Sequence, residues 1–389
     1  MKLNPESIAR ASSKRPWAVL GTWLVLLIAA FTLTGLYLSD NLTTDFDFTD
    51  EPEAKQAEIL LEERLRGPDT FTELLVVTGR PGTVTDADFQ GFVGELIGAV
   101  EGLGPDVVQA VIPVGQDGEP IVSEDGGDQL ITIVLAQTDL DDAATDSALV
   151  KDAVAGVTPP TGKEARLFGQ GTINNDFERL AQEGLEKGET IGIAVALIVL
   201  LVVIGSVVAA GLPILLAIAA IAVAIGITAY LGNFMSLSFF VVNFITMIGL
   251  AVGIDYALFI VARYREERVR GFDKLEAIGR SGATANRAVF FSGLTVVLAL
   301  LGMLFVPNTI FRSLGVGAIV VVLLAVAASM TLLPAVLALL GDKINIGRVR
   351  RQASLDNVDK TGGMWDKITA QVMARPIAWL VGGAGIMLL

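Results

Sequence analysis

The chain of 389 residues is 52% hydrophobic and 18% charged, too apolar for a soluble protein of this size, so several membrane spans are required. It holds no Cys and no His, which excludes disulfides, thiolate metal sites, His-bearing zinc sites and a Ser-His-Asp triad, and with them a conventional hydrolase or metalloenzyme. The net charge of −14 is unevenly spread: Ser39 to Glu189 carries 32 acids and 9 bases, the remainder 10 acids and 19 bases, a division that puts the two portions on opposite sides of a membrane.

Residues 1–16 form a short basic segment, followed by Trp17 to Leu38, 22 residues without a charge, with Trp17, Trp23 and Tyr37 towards the ends. At ~1.5 Å per residue this run crosses a ~30 Å hydrocarbon layer and is too long for a cleaved signal peptide, so it reads as a retained first span. Residues 39–188 form an acidic domain. Helical spacing marks Glu51 to Arg66, Asp86 to Leu103 behind a cap at Thr85, and Thr145 to Val157; apolar strand patterns mark Glu73 to Thr78, Val107 to Val114, Leu130 to Ala136 and Ala165 to Gly169. The order β-α-β-β-α-β predicts a ferredoxin-like split βαβ unit. The acidic stretches Gln116 to Asp128 and Asp139 to Asp146 read as solvated loops, because they lack the Asp/Asn/Gly spacing of a calcium loop.

Residues 189–341 read as five membrane helices, at about 190–210, 211–232, 239–262, 287–306 and 313–340, with Pro213 and Pro307 near turns and Pro334 at a late kink. Basic residues gather in Lys2 to Arg15, Arg263 to Arg287 and Lys343 to Arg375. The positive-inside rule makes these cytoplasmic, which one plus five spans satisfies: N-terminus inside, residues 39–188 outside, 342–375 an inner linker.

The third helix of that block carries the sharpest signal. Phe240 to Ile254 lead without a charge to Asp255, which reads as a buried acid costing at least ~2.5 kcal/mol in hydrocarbon and therefore as a candidate proton or ion site. Eight residues, or about 12 Å, separate it from Arg263 and place it near mid-membrane. Gly249, Gly253 and Ala257 form a small-residue row on the opposite face for close packing of another helix, while Ile248, Ala251, Val252, Leu258, Phe259 and Ala262 flank the acid. Ser292 and Thr295, about 7 and 12 Å from Arg287, and Ser329 and Thr331, about 18 and 15 Å from Gly341, bracket its depth and are candidates for its hydrogen-bonding shell. Tyr256, ~100° around the helix, is a candidate donor to an acid on another helix.

Near the end, MARPIAWLVGGAGIMLL (Met373 to Leu389) repeats SKRPWAVLGTWLVLLIA (Ser13 to Ala29), with Pro16 and Pro376 aligned 360 residues apart. A second repeat therefore begins, and residues 376–389 read as the truncated start of a seventh span.

GLAVGIDYALFIVARYREE, ANRAVFFSGLTV (Ala285 to Val296) and FRSLGVGAIVVVLLAVAASMTLLPAVLALLG (Phe311 to Gly341) resemble the MMPL family of the RND superfamily over essentially the whole chain; the five-helix block also resembles, more loosely, a sterol-sensing domain. The resemblance implies a polytopic α-helical membrane protein of the cell membrane with an extracytoplasmic ferredoxin-like porter domain, and a proton-driven exporter of lipids, glycolipids or other hydrophobic cargo rather than an enzyme. It implies a C-terminal half absent from this chain, Asp255 as proton-relay acid with Tyr256 as its cross-half partner, and Phe259, Ser292 and Thr295 lining the relay. No cofactor, metal or nucleic-acid partner is expected. The alternatives are a SecD/SecF-type protein-translocation auxiliary, whose family pattern has Asp-Ala-Asn where this chain has Asp255-Tyr256-Ala257, and a lipid sensor without transport.

Overall fold

A computed structural model describes residues 4–44, 50, 52–66, 70–115, 118–347 and 364–387. Among them, six helical stretches are long and apolar enough to cross a membrane: Pro16–Asn41, Gln170–Ile204, Val207–Phe234, Val241–Val269, Lys274–Phe305 and Thr309–Asn345. The expected count of one plus five holds.

The chain opens with α1 (Pro5–Lys14), breaks at Arg15 and enters α2 (Pro16–Asn41), with Pro16 at the first helical position, where a missing N–H costs nothing. At the other end α13 (Met364–Ala374) breaks at Arg375 before α14 (Pro376–Met387), the same short helix, Arg-Pro, apolar helix sequence. The rest of the expected linker, 348–363, lies outside the described residues.

After β1 (Leu42–Thr43) come α3 (Glu53–Leu61), prolonged by a wider turn to Arg66, β2 (Thr72–Thr78), α4 (Ala87–Glu101), β3 (Val108–Ile112), β4 (Ile121–Val122), β5 (Asp128–Leu135), α5 (Leu140–Gly156) and β6 (Glu164–Gly169). The sheet order β3-β5-β2-β6, all antiparallel, is the ferredoxin-like split βαβ arrangement, with Leu75, Val77, Ile131 and Ile133 sealed beneath Phe89, Phe92 and Leu96 of α4. Two expectations need correction. Asp86, not Thr85, occupies the cap position of α4. The acidic run from Asp139 is a helix start, not a loop: its carboxylate accepts from the backbone N–H of Asp141 and Asp142, the usual work of an N-cap acid. In the other acidic stretch, Asp125 accepts from Ser123 Oγ at 2.7 Å and Gly127 N at 3.0 Å, and these bonds hold its carboxyl below the ordinary range.

Residue 188, expected as the edge of the domain, falls inside a continuous helix. From β6 the chain passes without a break into α6 (Gln170–Ile204), 35 residues that run out of the domain and on through the apolar segment. The reason lies at its first turn. Glu73 of β2, fully buried, accepts from Thr172 N at 3.1 Å and bonds Thr172 Oγ1, so a carboxylate from the middle of the sheet caps the helix. A Cβ at Gly169 would come within 2.5 Å of Glu73 Cδ, and one at Gly171 within 2.1 Å of Ser147 Oγ; only glycine fits this joint. A second tie joins the first span to the domain: Thr44 N donates to Asp141 Oδ1 at 3.0 Å, and Asn174 Nδ2 donates to Thr44 Oγ1 at 2.7 Å.

α7 (Val207–Leu231) follows a turn at Gly205, whose φ of +70° requires glycine, and Ser206, whose hydroxyl lies 2.8 Å from Ile344 O. Pro213 therefore sits inside α7, in its second turn, and not at the turn expected. β7 (Leu237–Ser238) pairs with β1, and then α8 (Val241–Val269) returns through the bundle. α9 (Lys274–Ser281) continues through a wider turn into α10 (Arg287–Leu300); α11 (Thr309–Met330) bends at Thr331 into α12 (Leu332–Leu340), where Pro334 lies, as the kink expectation has it. At the end opposite the sheet domain, α1 packs on α9 and α12, with Arg10 bonded to Glu6 at 3.0 Å and to Glu276 at 3.4 Å.

Candidate functional site

α8 lies between α7 and α11, and the small-residue row sets how closely. A Cβ on Gly249 would meet Ile221 at 2.4 Å and Val321 at 2.8 Å; one on Gly253 would meet Ala217 Cβ at 2.8 Å. Gly249, Gly253 and Ala257 are all buried, as the spacing implies, and Tyr256 is buried beside them. The Tyr256 hydroxyl reaches Ser292 Oγ on α10 at 3.4 Å, and a Cβ on Gly293 would lie 3.6 Å from the Tyr256 ring, so α10 closes over this tyrosine.

Asp255 points elsewhere. It is not buried: with Met247, Ala251, Phe259 and Ala262 it forms the exposed stripe of α8, and among the described residues it makes no hydrogen bond or ion pair. The physical reason is the helix period. Once glycines and Tyr256 occupy the inner face, a residue 100° from Tyr256 is carried to the open side. The expected hydrogen-bonding shell does not assemble around it either. Ser292 and Thr295 are exposed on α10, where Thr295 Oγ1 bonds its own helix at Phe291 O (2.9 Å); Ser329 is buried in α11; Thr331 takes the Trp23 indole N–H at 3.1 Å and bonds Ala327 O. Of the candidates, only Tyr256 and Ser292 meet.

What Asp255 does face is a groove of about 740 Å³ between α6 and α8. Its walls are apolar or small, including the row Gly184, Gly188, Gly192 of α6, and three polar side chains enter it: Asn243, Glu189 and Asp255. Sequence reasoning missed Glu189, counting it with the acidic domain, although a glycine every fourth residue beside it was the signal of a helix face open to close approach.

The basic cluster at the Val269 end of α8 is largely tied up. Glu267, 2% exposed, bonds Arg263 and Arg270 at 2.8 Å each; Arg265 Nη1 donates to Ile204 O at 2.6 Å, closing the end of α6; and Arg280 lies 3.7 Å over the Phe272 ring. Among the described residues no group of three or more His, Cys, Asp or Glu is placed to hold a metal ion.

These features define a polytopic α-helical membrane protein with an α+β domain inserted between its first and second spans, and an acid without a partner among the described residues on the open face of its third bundle helix. The family model described as the MMPL family matches residues 49–379, so the chain belongs to the MMPL family. It is 33% identical over 349 residues to a membrane protein of Streptomyces coelicolor (88% of this chain, 48% of that protein). It is 30% identical over 380 residues to the mycolic acid-containing lipids exporter MmpL11 of Mycolicibacterium smegmatis (96% and 39%) and 27% identical over 396 residues to the trehalose monomycolate exporter MmpL3 of that organism (93% and 39%). The last two of these relatives carry the names of lipid exporters. The chain spans less than half the length of these relatives.

Proposed function

We propose that this chain is the first lobe of a proton-driven exporter of lipids or other hydrophobic compounds in the cell membrane, with the N-terminus cytoplasmic and the sheet domain outside. Asp255 carries the proton, Tyr256, which meets Ser292 of α10, is its partner toward the second lobe, and Phe259 flanks the acid on the same open stripe, while Thr295 stands apart on α10. The observation that carries this reading is the Asp255 carboxyl on an open face of an apolar, membrane-length helix, without a partner among the described residues, where an ionisable group is by default a functional site. Protonation removes its charge and lets the face repack against the missing lobe; α6 and the Thr44 tie then convey the shift to the sheet domain, because both are bonded directly to it. One proton crossing ~100 mV releases ~2.3 kcal/mol, enough to bias a two-state change roughly 50-fold.

Relatives named as lipid exporters support hydrophobic cargo, and the family match disfavours a protein-translocation auxiliary. The test is Asp255→Asn in the full-length protein, reconstituted in liposomes with an imposed proton gradient. Transport and proton flux should both be lost; wild-type flux would remove the relay assignment, and lipid binding without any flux in the wild-type protein would favour the sensor.

A further inference from the structure

Glu189 shares the groove with Asp255. Its Oε1 is buried and has no hydrogen-bond partner among the described residues, although the side chain as a whole is half-buried. The bond from Arg265 to Ile204 O fixes α6 and α8 at a common level. Counted outward from it at ~1.5 Å per residue, Asp255 stands about 15 Å, Glu189 about 22 Å and Asn243 about 33 Å along the helix axes. The three polar groups thus form steps of about 7 and 11 Å within an otherwise apolar wall. The groove has room for on the order of twenty waters at ~30 Å³ each, and one or two waters at ~2.8 Å per hydrogen bond span the lower step.

Among the described side chains, the other charged groups near α6 are engaged or distant. Lys187 pairs with Glu183 at 3.6 Å; Lys151 of α5 pairs with Asp176, and Glu73 of β2 caps Thr172, both far toward the domain; Glu164 and Arg166 of β6 pair with each other. α7 carries no charged residue, and Asp255 is the charged residue of α8 that lines the groove.

We propose that Glu189 is a second relay carboxylate, the step between the outer end of the groove and Asp255; this rests on the reading of Asp255 as the proton carrier. A hydronium in the outer groove protonates the Glu189 carboxylate. The acid then passes that proton through groove water to the Asp255 carboxylate and returns to its charged form, so each step transfers one proton and consumes nothing else. Asn243 holds the water at the outer mouth.

The test uses the full-length protein in liposomes with an internal pH-sensitive dye, comparing wild type, Asp255→Asn, Glu189→Gln and Glu189→Asp over outer pH 5.5–8. Glu189→Gln should slow proton flux about tenfold or more at pH 7–8 and much less at pH 5.5, where bulk hydronium is abundant enough to bypass it. Glu189→Asp should restore most of the flux. Wild-type flux in Glu189→Gln across the range, or a loss that is equal at every pH and not rescued by Glu189→Asp in monodisperse protein, overturns the proposal. If Asp255→Asn abolishes flux while Glu189→Gln does not, only Glu189 is misassigned; if Asp255→Asn conducts normally, the parent reading fails.

Discussion

The joint between the sheet domain and α6 makes a demanding prediction. Glu73→Ala removes two hydrogen bonds to a charged acceptor, each contributing about 1.5–3 kcal/mol, and leaves Thr172 N–H buried without a partner at about 1–3 kcal/mol. It also removes a negative charge from a helix N-terminus, a contribution of up to ~2 kcal/mol. Relief of the carboxylate's burial offsets part of this, so a net loss of about 3–4 kcal/mol is expected. The loss is local: the first turns of α6 should open, and amide exchange over 170–176, followed by mass spectrometry on the intact protein in detergent, should accelerate by about 10²–10³, since each 1.4 kcal/mol is tenfold. Glu73→Gln keeps the acceptor shape without the charge and should fall between. Exchange at the wild-type rate in Glu73→Ala would refute the idea that a sheet carboxylate holds the membrane helix to the domain.

Gly253→Val places a Cβ 2.8 Å from Ala217 Cβ and 3.0 Å from Ala217 Cα, a clash with backbone that no rotamer relieves; about 1–3 kcal/mol of destabilisation is expected, read as earlier thermal unfolding in detergent, whereas Ala251→Val on the exposed stripe should be neutral. Asp146 is buried with Oδ2 unpartnered, and burial raises its carboxyl above the ordinary 3.8, helped by Asp142 and opposed by Gln137. A raised folded value means the penalty is present at neutral pH and is relieved as pH falls toward 3.8. Asp146→Asn should therefore unfold later than wild type at pH 7, with the gap narrowing on acidification.

Much of this was readable in the chain itself. Uncharged runs of about twenty residues mark spans because hydrocarbon admits little else, and period-2 and period-3.6 patterns separated the four main strands from the two packed helices. Gly249, Gly253 and Ala257 announced the buried face of α8, and the same period turned Asp255 away from it.

The remainder depended on residues far apart along the chain. Nothing local says that α6 begins at Gln170, because its cap is Glu73, on a strand 97 residues earlier; nothing local sends the Thr331 hydroxyl to Trp23, 308 residues away. Local periodicity and hydrophobic transfer are short-range quantities and are written residue by residue, so they determined the spans, the sheet unit and the lone acid. Which polar groups meet, which side of α8 stays open and that Glu189 shares Asp255's groove are matters of how finished helices pack. Tertiary structure alone decided them.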